Sequence, residues 1–295
     1  NTTTIDMFGS AKYRNYKYGG DDHIAVVHTE NLAKFASIFI TSTINKSSCT
    51  GEFNYGRNFY PKDADELKVQ LPIKNGEVDF EFMENFIAAL EAERIAKLEA
   101  YLLACGLKDY TLTAEEKQVL DDFENVIYEE FNVVDIFDVK NSGNILSRDI
   151  AKNSGEIPYL CASSENNGVS SYISYDKNYL DKGDCVFIGG KTFVVSYQEK
   201  DFYSNDSHNL ILYLKNKEEK NKLSQLYLAT CINKSLGHKY SWGDSISNRK
   251  IQKDKVSLPI KNKKLNYEIM ETFISAIEKL VIKDVVLYTN KKLGK

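Results

Sequence analysis

The chain has no two adjacent prolines, no Gly-x-Gly-x-x-Gly run, no Walker loop and no Cys-x-x-Cys pair. Each absence removes a class of function. An adenine methyltransferase carries an Asn/Asp-Pro-Pro-aromatic tetrapeptide, and here Pro61, Pro72, Pro158 and Pro259 all stand apart. Without glycine-rich loops, no backbone cradle for a dinucleotide or a nucleotide triphosphate is expected. His23, His28, His208 and His238 have no serine or cysteine at a hydrolase-like spacing, and no carboxylate-lysine cluster of a nuclease is recognisable. No catalysis and no metal site are therefore expected within these residues. The five cysteines are an odd number and widely spaced, which predicts buried, reduced thiols rather than a disulfide framework or a zinc site. No apolar run is long enough to span a bilayer and none resembles a signal peptide, so a soluble, cytoplasmic protein is expected.

What is present is a duplication. Residues 71–91 (LPIKNGEVDFEFMENFIAALE) return 187 positions later as residues 258–278 (LPIKNKKLNYEIMETFISAIE), with 12 of 21 positions identical. The tetrapeptide INKS at residues 44–47 recurs at 232–235, and Phe53, Tyr55 and Gly56 recur as Tyr240, Trp242 and Gly243. The period is far longer than that of a solenoid, so the repeated unit is a whole domain with its helix. By this alignment the first copy is expected to lack roughly its first 56 residues.

Periodicity places the elements. From Asp79 to about Cys105 the apolar residues Phe82, Phe86, Leu90, Ile95, Leu98 and Leu102 lie near helical spacing. From Asn266 to about Tyr288, Met270, Phe273, Ile277, Leu280 and Asp284 follow alternating steps of three and four, a heptad seam. Two long helices with one apolar stripe each would bury it most simply against each other, as an antiparallel coiled coil. A helix is also predicted over residues 113–131, opened by a capping box of Thr113 and Glu116, and Gly106 sits where a C-terminal glycine would stop the helix before it. Residues 133–214 change character, to short apolar runs separated by turn residues, which predicts a compact, mainly β half-domain. Helices over residues 33–44 and 218–236 complete two α+β domains.

Net charge of −4 is a poor match to a phosphate backbone. The charge is unevenly placed, however. Glu115, Glu116, Asp121, Asp122, Glu124, Glu129 and Glu130 crowd one stretch, and Arg249, Lys250, Lys253, Lys255, Lys261, Lys263 and Lys264 crowd another.

The ordered set GEIPYL (155–160), ENNGVSSYI (165–173), DCVFIGGKTF (184–193), the LPI of 258–260 and the final helix resembles the target-recognition domain of type I restriction-modification specificity (S) subunits. The LPI of 71–73 and its following helix resemble the same family's domain end and spacer. The resemblance implies an α+β fold: two mainly β target-recognition domains separated by an antiparallel pair of long spacer helices, with a pseudo-twofold internal repeat. The boundaries expected are 1–78 for the C-terminal part of domain 1, 79–106 for spacer helix 1, 107–130 for a linker helix, 131–264 for domain 2 and 265–295 for spacer helix 2. The implied function is to read a bipartite, asymmetric site on double-stranded DNA, one half per domain, while the helices set the gap and dock adenine methyltransferase (M) subunits. Restriction (R) subunits join such assemblies. No cofactor is expected on this chain; S-adenosylmethionine is expected on the methyltransferase partner. Two other readings stand beside this one: the recognition region of a type IIB or fused type IIG enzyme, and a coiled-coil scaffold without DNA binding.

For base reading, amides suit adenine and basic groups suit guanine or phosphate. In the second domain Asn166, Asn167, Tyr172, Lys191, Tyr197, His208, Lys239, Trp242, Arg249 and Lys250 are the DNA-binding candidates, and in the first Lys12, Tyr13, Arg14, Lys46 and Arg57. Trp242 and Tyr55 read as core or platform residues rather than base stackers. Gly189 and Gly190 predict a tight turn.

Overall fold

The computed structural model describes residues 1–295, which divide into two compact units: Asn1–Lys108 with Val285–Lys295, and Asp109–Asp284. In chain order the elements are β1 (Thr2–Ile5), β2 (Ala11–Arg14), β3 (Ala25–His28), α1 (Lys34–Ser48), α2 (Pro61–Glu66), β4 (Ile73–Lys74), β5 (Glu77–Val78), α3 (Phe80–Ala104), α4 (Ala114–Asp121), β6 (Tyr128–Asn132), α5 (Val133–Ile136), β7 (Phe137–Asn141), β8 (Ile157–Leu160), β9 (Val169–Ile173), β10 (Cys185–Ile188), β11 (Val195–Gln198), β12 (Tyr203–Ser204), β13 (Leu210–Leu214), α6 (Lys222–Leu236), α7 (Asn248–Ile251), β14 (Lys255–Lys261), β15 (Lys264–Leu265) and α8 (Tyr267–Leu293). No helix is long and apolar enough to cross a membrane.

In the first unit β1 is the centre of an antiparallel sheet, β2-β1-β3. Helix α1 packs on it around Ile5, Ala25, Ile44 and Phe59. Polar contacts fix its position. Thr3 and Thr41 share a 2.6 Å hydroxyl bond, Asn45 accepts from the Ala11 amide at 2.8 Å, and Ser48 donates to the Gly9 carbonyl at 2.6 Å. Gly9 has φ +80°, and a β-carbon there would stand 2.4 Å from the Ser48 carbonyl oxygen, so only glycine permits this approach. The β4–β5 hairpin turns on Asn75 and Gly76, both at positive φ, as its Asn-Gly sequence dictates. Asp79 then caps α3 by accepting from the Phe82 amide at 2.9 Å. At the other end Gly106 takes φ +67° and Leu107 N–H returns to the Leu102 carbonyl, the glycine stop expected from the sequence. The last turns of α8 belong to this unit. There Lys292 meets Glu91 at 2.7 Å, Lys295 meets Glu99 at 3.0 Å, and Lys108 bridges Glu99 and Asn290.

In the second unit the antiparallel sheet β11-β10-β13-β7 is covered on both faces. Side chains alternate across a strand, which explains why the four residues of β10 are all buried. Val186 and Ile188 point into a core with Leu228, Ile232 and Leu236 of α6, whereas Cys185 and Phe187 join Leu160 and Phe202 on the opposite side. Leu228 is fully buried, and truncating it to alanine is expected to cost about 2–5 kcal/mol. A second sheet, β12-β8-β9, pairs β12 parallel to β8.

Three expectations need correction. The helix foreseen over residues 113–131 stops at Asp121, although its capping box forms with both bonds in place. Residues 128–132 are instead strand β6, paired with β14, whose Val256 and Leu258 are fully buried; tertiary pairing overrides the helical leaning of Glu129 and Glu130. Second, the cysteines are all free but not all buried. Cys185 is buried, with its thiol pushed up to about 12 by desolvation, while Cys49 and Cys105 follow the ends of α1 and α3 and are exposed. Third, the seam along α8 is buried only near its start. Met270 is fully buried and Phe273 stacks on Phe123 at 4.2 Å, but Leu280 is 45% exposed.

Candidate nucleic-acid interface

Four loops of the second unit are knit together at one end of the sheet. Gly190 N–H donates to Asn209 Oδ1 at 2.9 Å, which ties the β10–β11 turn to the loop before β13. Ile246 N–H reaches the Gly190 carbonyl, adding the segment that leads into α7. Ser142, just past β7, donates to the Asp206 carbonyl at 2.9 Å and lies 2.8 Å from the Ser204 hydroxyl. The two glycines serve close packing rather than an unusual φ: a β-carbon on Gly190 would fall 2.2 Å from the His208 carbonyl oxygen, and one on Gly189 would meet Ala162 at 2.6 Å.

Two of the candidates from sequence, Lys191 and His208, converge here on Asp206. Lys191 Nζ lies 3.0 Å from one carboxylate oxygen and His208 Nδ1 lies 2.7 Å from the other. Burial opposes ionisation of Asp206, but the His208 amide, the His208 ring and the Lys191 ammonium outweigh it and lower its pKa to about 2. One fixed anion therefore orients a lysine and a histidine, each about half exposed or more. Arg249, on α7, is exposed and forms no ion pair.

The remaining candidates are engaged in the fold to different degrees. Asn166 and Asn167 sit at φ +48° and +51°, and their amide groups donate to the carbonyls of Val169 and Tyr197. Tyr197 donates to Asp184 at 3.1 Å, and burial raises its pKa. Lys239 lies 3.3 Å from the buried carboxylate of Asp254, which also accepts from the Tyr240 hydroxyl at 2.5 Å. Lys250 pairs with Asp244, donates to the Ser245 carbonyl at 2.7 Å and lies over the Tyr240 ring. Tyr172, on β9, is 48% exposed.

In the first unit Lys12 on β2 and Lys46 on α1 are exposed. Tyr13 donates to the Asn1 side chain, Arg14 donates to Thr4 and Tyr16, and Arg57 lies 5.3 Å from the centre of the Phe53 ring. Asp21, Asp22 and His23 bring three ligand atoms within 4.8 Å, but all lie on an exposed turn and the 3.0 Å contact of His23 with Asp22 accounts for their proximity.

Sequence reasoning missed two features. Tyr55 and Trp242 are not core residues: they occupy the tips of equivalent turns, closed by the bridges Asn54–Arg57 and Ser241–Asp244, and are 86% and 78% exposed. The aromatic-x-aromatic-Gly repeat was the signal for both. The second feature is a row of carboxamides, Gln252, Asn248 and Asn141, bonded end to end beside the Lys191–His208 loops. No sequence pattern joins residues 111 positions apart, so this row was illegible before the fold.

Comparison with known proteins places these features in a family. The family model described as type I restriction modification DNA specificity domain matches residues 1–100 and 125–287. The specificity subunit S.BcgI of the type II restriction enzyme BgcI, from Heyndrickxia coagulans, is 27% identical over 152 residues, 51% of this chain and 43% of its own length. The chain thus spans less than half of that curated relative. The crystal structure of a type I restriction-modification S subunit from M. genitalium superimposes with a TM-score of 0.58 at 13% identity, over 100% of this chain and 79% of that one, which establishes likeness of fold. With the family model covering most of its residues, the chain belongs to the type I restriction-modification DNA specificity domain family.

Proposed function

We propose that this chain is the sequence-reading component of a restriction-modification system, with each unit contacting one half of a bipartite site on double-stranded DNA. The observation that carries the reading is the knot of four loops around Asp206, which holds Lys191 and His208 on one carboxylate and ties in the segment leading to α7, where Arg249 is exposed. Basic groups that are exposed and held in place suit phosphate contacts, and neighbouring amides suit base edges.

The long helices supply the second half of the proposal. They act as an antiparallel spacer pair between the readers, and the ion pairs of α3 with Lys292 and Lys295 support that arrangement. Both helices keep apolar faces that are more than a third exposed: Phe82, Phe86 and Leu90 on α3, the first two edge-on to Phe39 of α1, and Leu280 and Val281 on α8. Such faces suit the docking of adenine methyltransferase subunits, which would hold S-adenosylmethionine and carry out the chemistry while this chain supplies the address.

Mapping methylated adenines by single-molecule sequencing, in a host expressing this chain with a neighbouring methyltransferase, tests the proposal. Two short half-sites at a fixed gap, with one half-site changing when residues 131–257 are exchanged for those of a relative, is the expected result. No motif, or a motif indifferent to the exchange, would favour a scaffold role.

A further inference from the structure

The carboxamide row has a fixed polarity. At one end the Ser207 carbonyl can only accept, so Asn141 must turn its amino group toward it, at 2.7 Å. The Asn141 oxygen then faces Asn248 and accepts from its amino group at 3.2 Å, while the second hydrogen of Asn248 goes to the Val139 carbonyl at 3.4 Å. That leaves the Asn248 oxygen to accept from Gln252 Nε2 at 3.0 Å. Backbone carbonyls thus decide which way every amide points.

The row ends in an unsatisfied group. Both hydrogens of Asn248 are used, but Gln252 spends one hydrogen on Asn248 and keeps the other, with its Oε1 unengaged, and its side chain is exposed. One donor beside one acceptor on a planar amide is the pattern that pairs with N7 and N6 of adenine in the major groove. A free glutamine would lose rotamer freedom on forming such a pair, and here the bond to Asn248 has already removed part of it. The surroundings are right for DNA as well. Ser207, which terminates the row, is flanked by Asp206 and His208, and Arg249 follows Asn248 on α7.

We infer that Gln252 reads an adenine in the half-site of the second unit, and that Asn248 and Asn141 are positioning residues that aim it. The inference rests on the DNA-recognition reading above and assigns its specificity at one position.

The test is selection of bound sequences from a randomised duplex pool by the full chain, read by deep sequencing. For the wild type, a motif with an adenine preference at one position is expected. Gln252→Leu should lower that preference roughly 10- to 100-fold and leave the other positions unchanged. Gln252→Glu, an acceptor only, loses both the donor to adenine and the bond to Asn248, and should likewise abolish the adenine preference at that position. Asn248→Leu and Asn248→Asp both lose the donors to Asn141 and Val139 that fix the row's polarity, and each should blur that position alone. An unchanged motif with Gln252→Leu, or uniform weakening at all positions, would overturn the assignment while leaving recognition intact. A wild-type chain that enriches no motif would overturn recognition itself, and the role of Gln252 with it.

Discussion

Lys279 on α8 holds its ammonium 2.9 Å from the carboxylate of Glu116, the same group that closes the capping box of α4. Ser275 donates to the other oxygen at 2.7 Å. Glu116 is only 4% exposed, and although burial opposes its ionisation, the bonds from Ser275, Lys279 and Thr113 keep its pKa below the usual value. Glu116→Ala removes a cap and one partner of Lys279, which keeps the Thr111 carbonyl at 3.1 Å and Asp109 at 3.9 Å. A loss of about 1–2 kcal/mol is expected, read as a lower urea midpoint of the full chain. A midpoint equal to wild type would show that α4 is not anchored through this residue.

Asp206 gives a prediction in pH. Its folded pKa is lowered to about 2 from 3.8, so its contribution is complete above the unfolded value and is lost as pH falls from near 4 toward 2. The contribution is roughly 2 kcal/mol. Asp206→Asn should therefore be less stable than wild type by about that amount near pH 7, and the difference should close in acid. A gap that stays constant from pH 7 to pH 2 would mean that the carboxylate charge is not what binds Lys191 and His208.

Arg249 and Lys239 should separate cleanly although both are exposed basic candidates. Arg249 has no ion partner, so Arg249→Ala should reduce the salt slope of duplex binding by about one without a change in melting temperature. Lys239 is committed to the buried Asp254, so Lys239→Ala should lower the melting temperature and leave the slope as it was. The reverse pattern would relocate the DNA face.

The chain's single tryptophan, Trp242, offers an intrinsic reporter. At 78% exposure its emission should lie near that of indole in water, and addition of specific duplex should quench it or shift it to the blue. Emission that is flat through saturation, as judged by anisotropy of labelled DNA, would place the turn of Ser241–Asp244 outside the footprint.

The elements that local chemistry encodes were legible in the sequence. Thr113 with Glu116, Gly106, and the Asn-Gly of the β4–β5 hairpin each act within a few residues, and each appears where its pattern places it. Helices α1 and α6, at 15 residues each, stand at the two copies of INKS. What escaped depends on distant partners. Residues 128–132 become a strand only because β14 lies alongside, and Lys239 is drawn to the buried Asp254, which lies 15 positions away. For the candidate site, composition pointed to Lys191, His208 and Arg249, yet Gln252, Asn248 and Asn141 are ordinary turn, helix and strand residues until folding lines them up.

The two copies of the heptapeptide ending in LPIK differ at one letter, KVQLPIK at residues 68–74 and KVSLPIK at 255–261, yet they have unequal surroundings. The second is β14, bonded along β6 from Lys255 to Pro259, with Val256 and Leu258 sealed. The first joins a ladder only at Ile73 and Lys74, and its Val69 and Leu71 are partly open to solvent. Deuterium should therefore enter the amides of residues 68–71 far faster than those of 256–258, by a ratio that reports strand pairing and not side-chain identity. The molecule thus contains its own reference experiment, in which nearly the same peptide is measured twice and only its neighbours change.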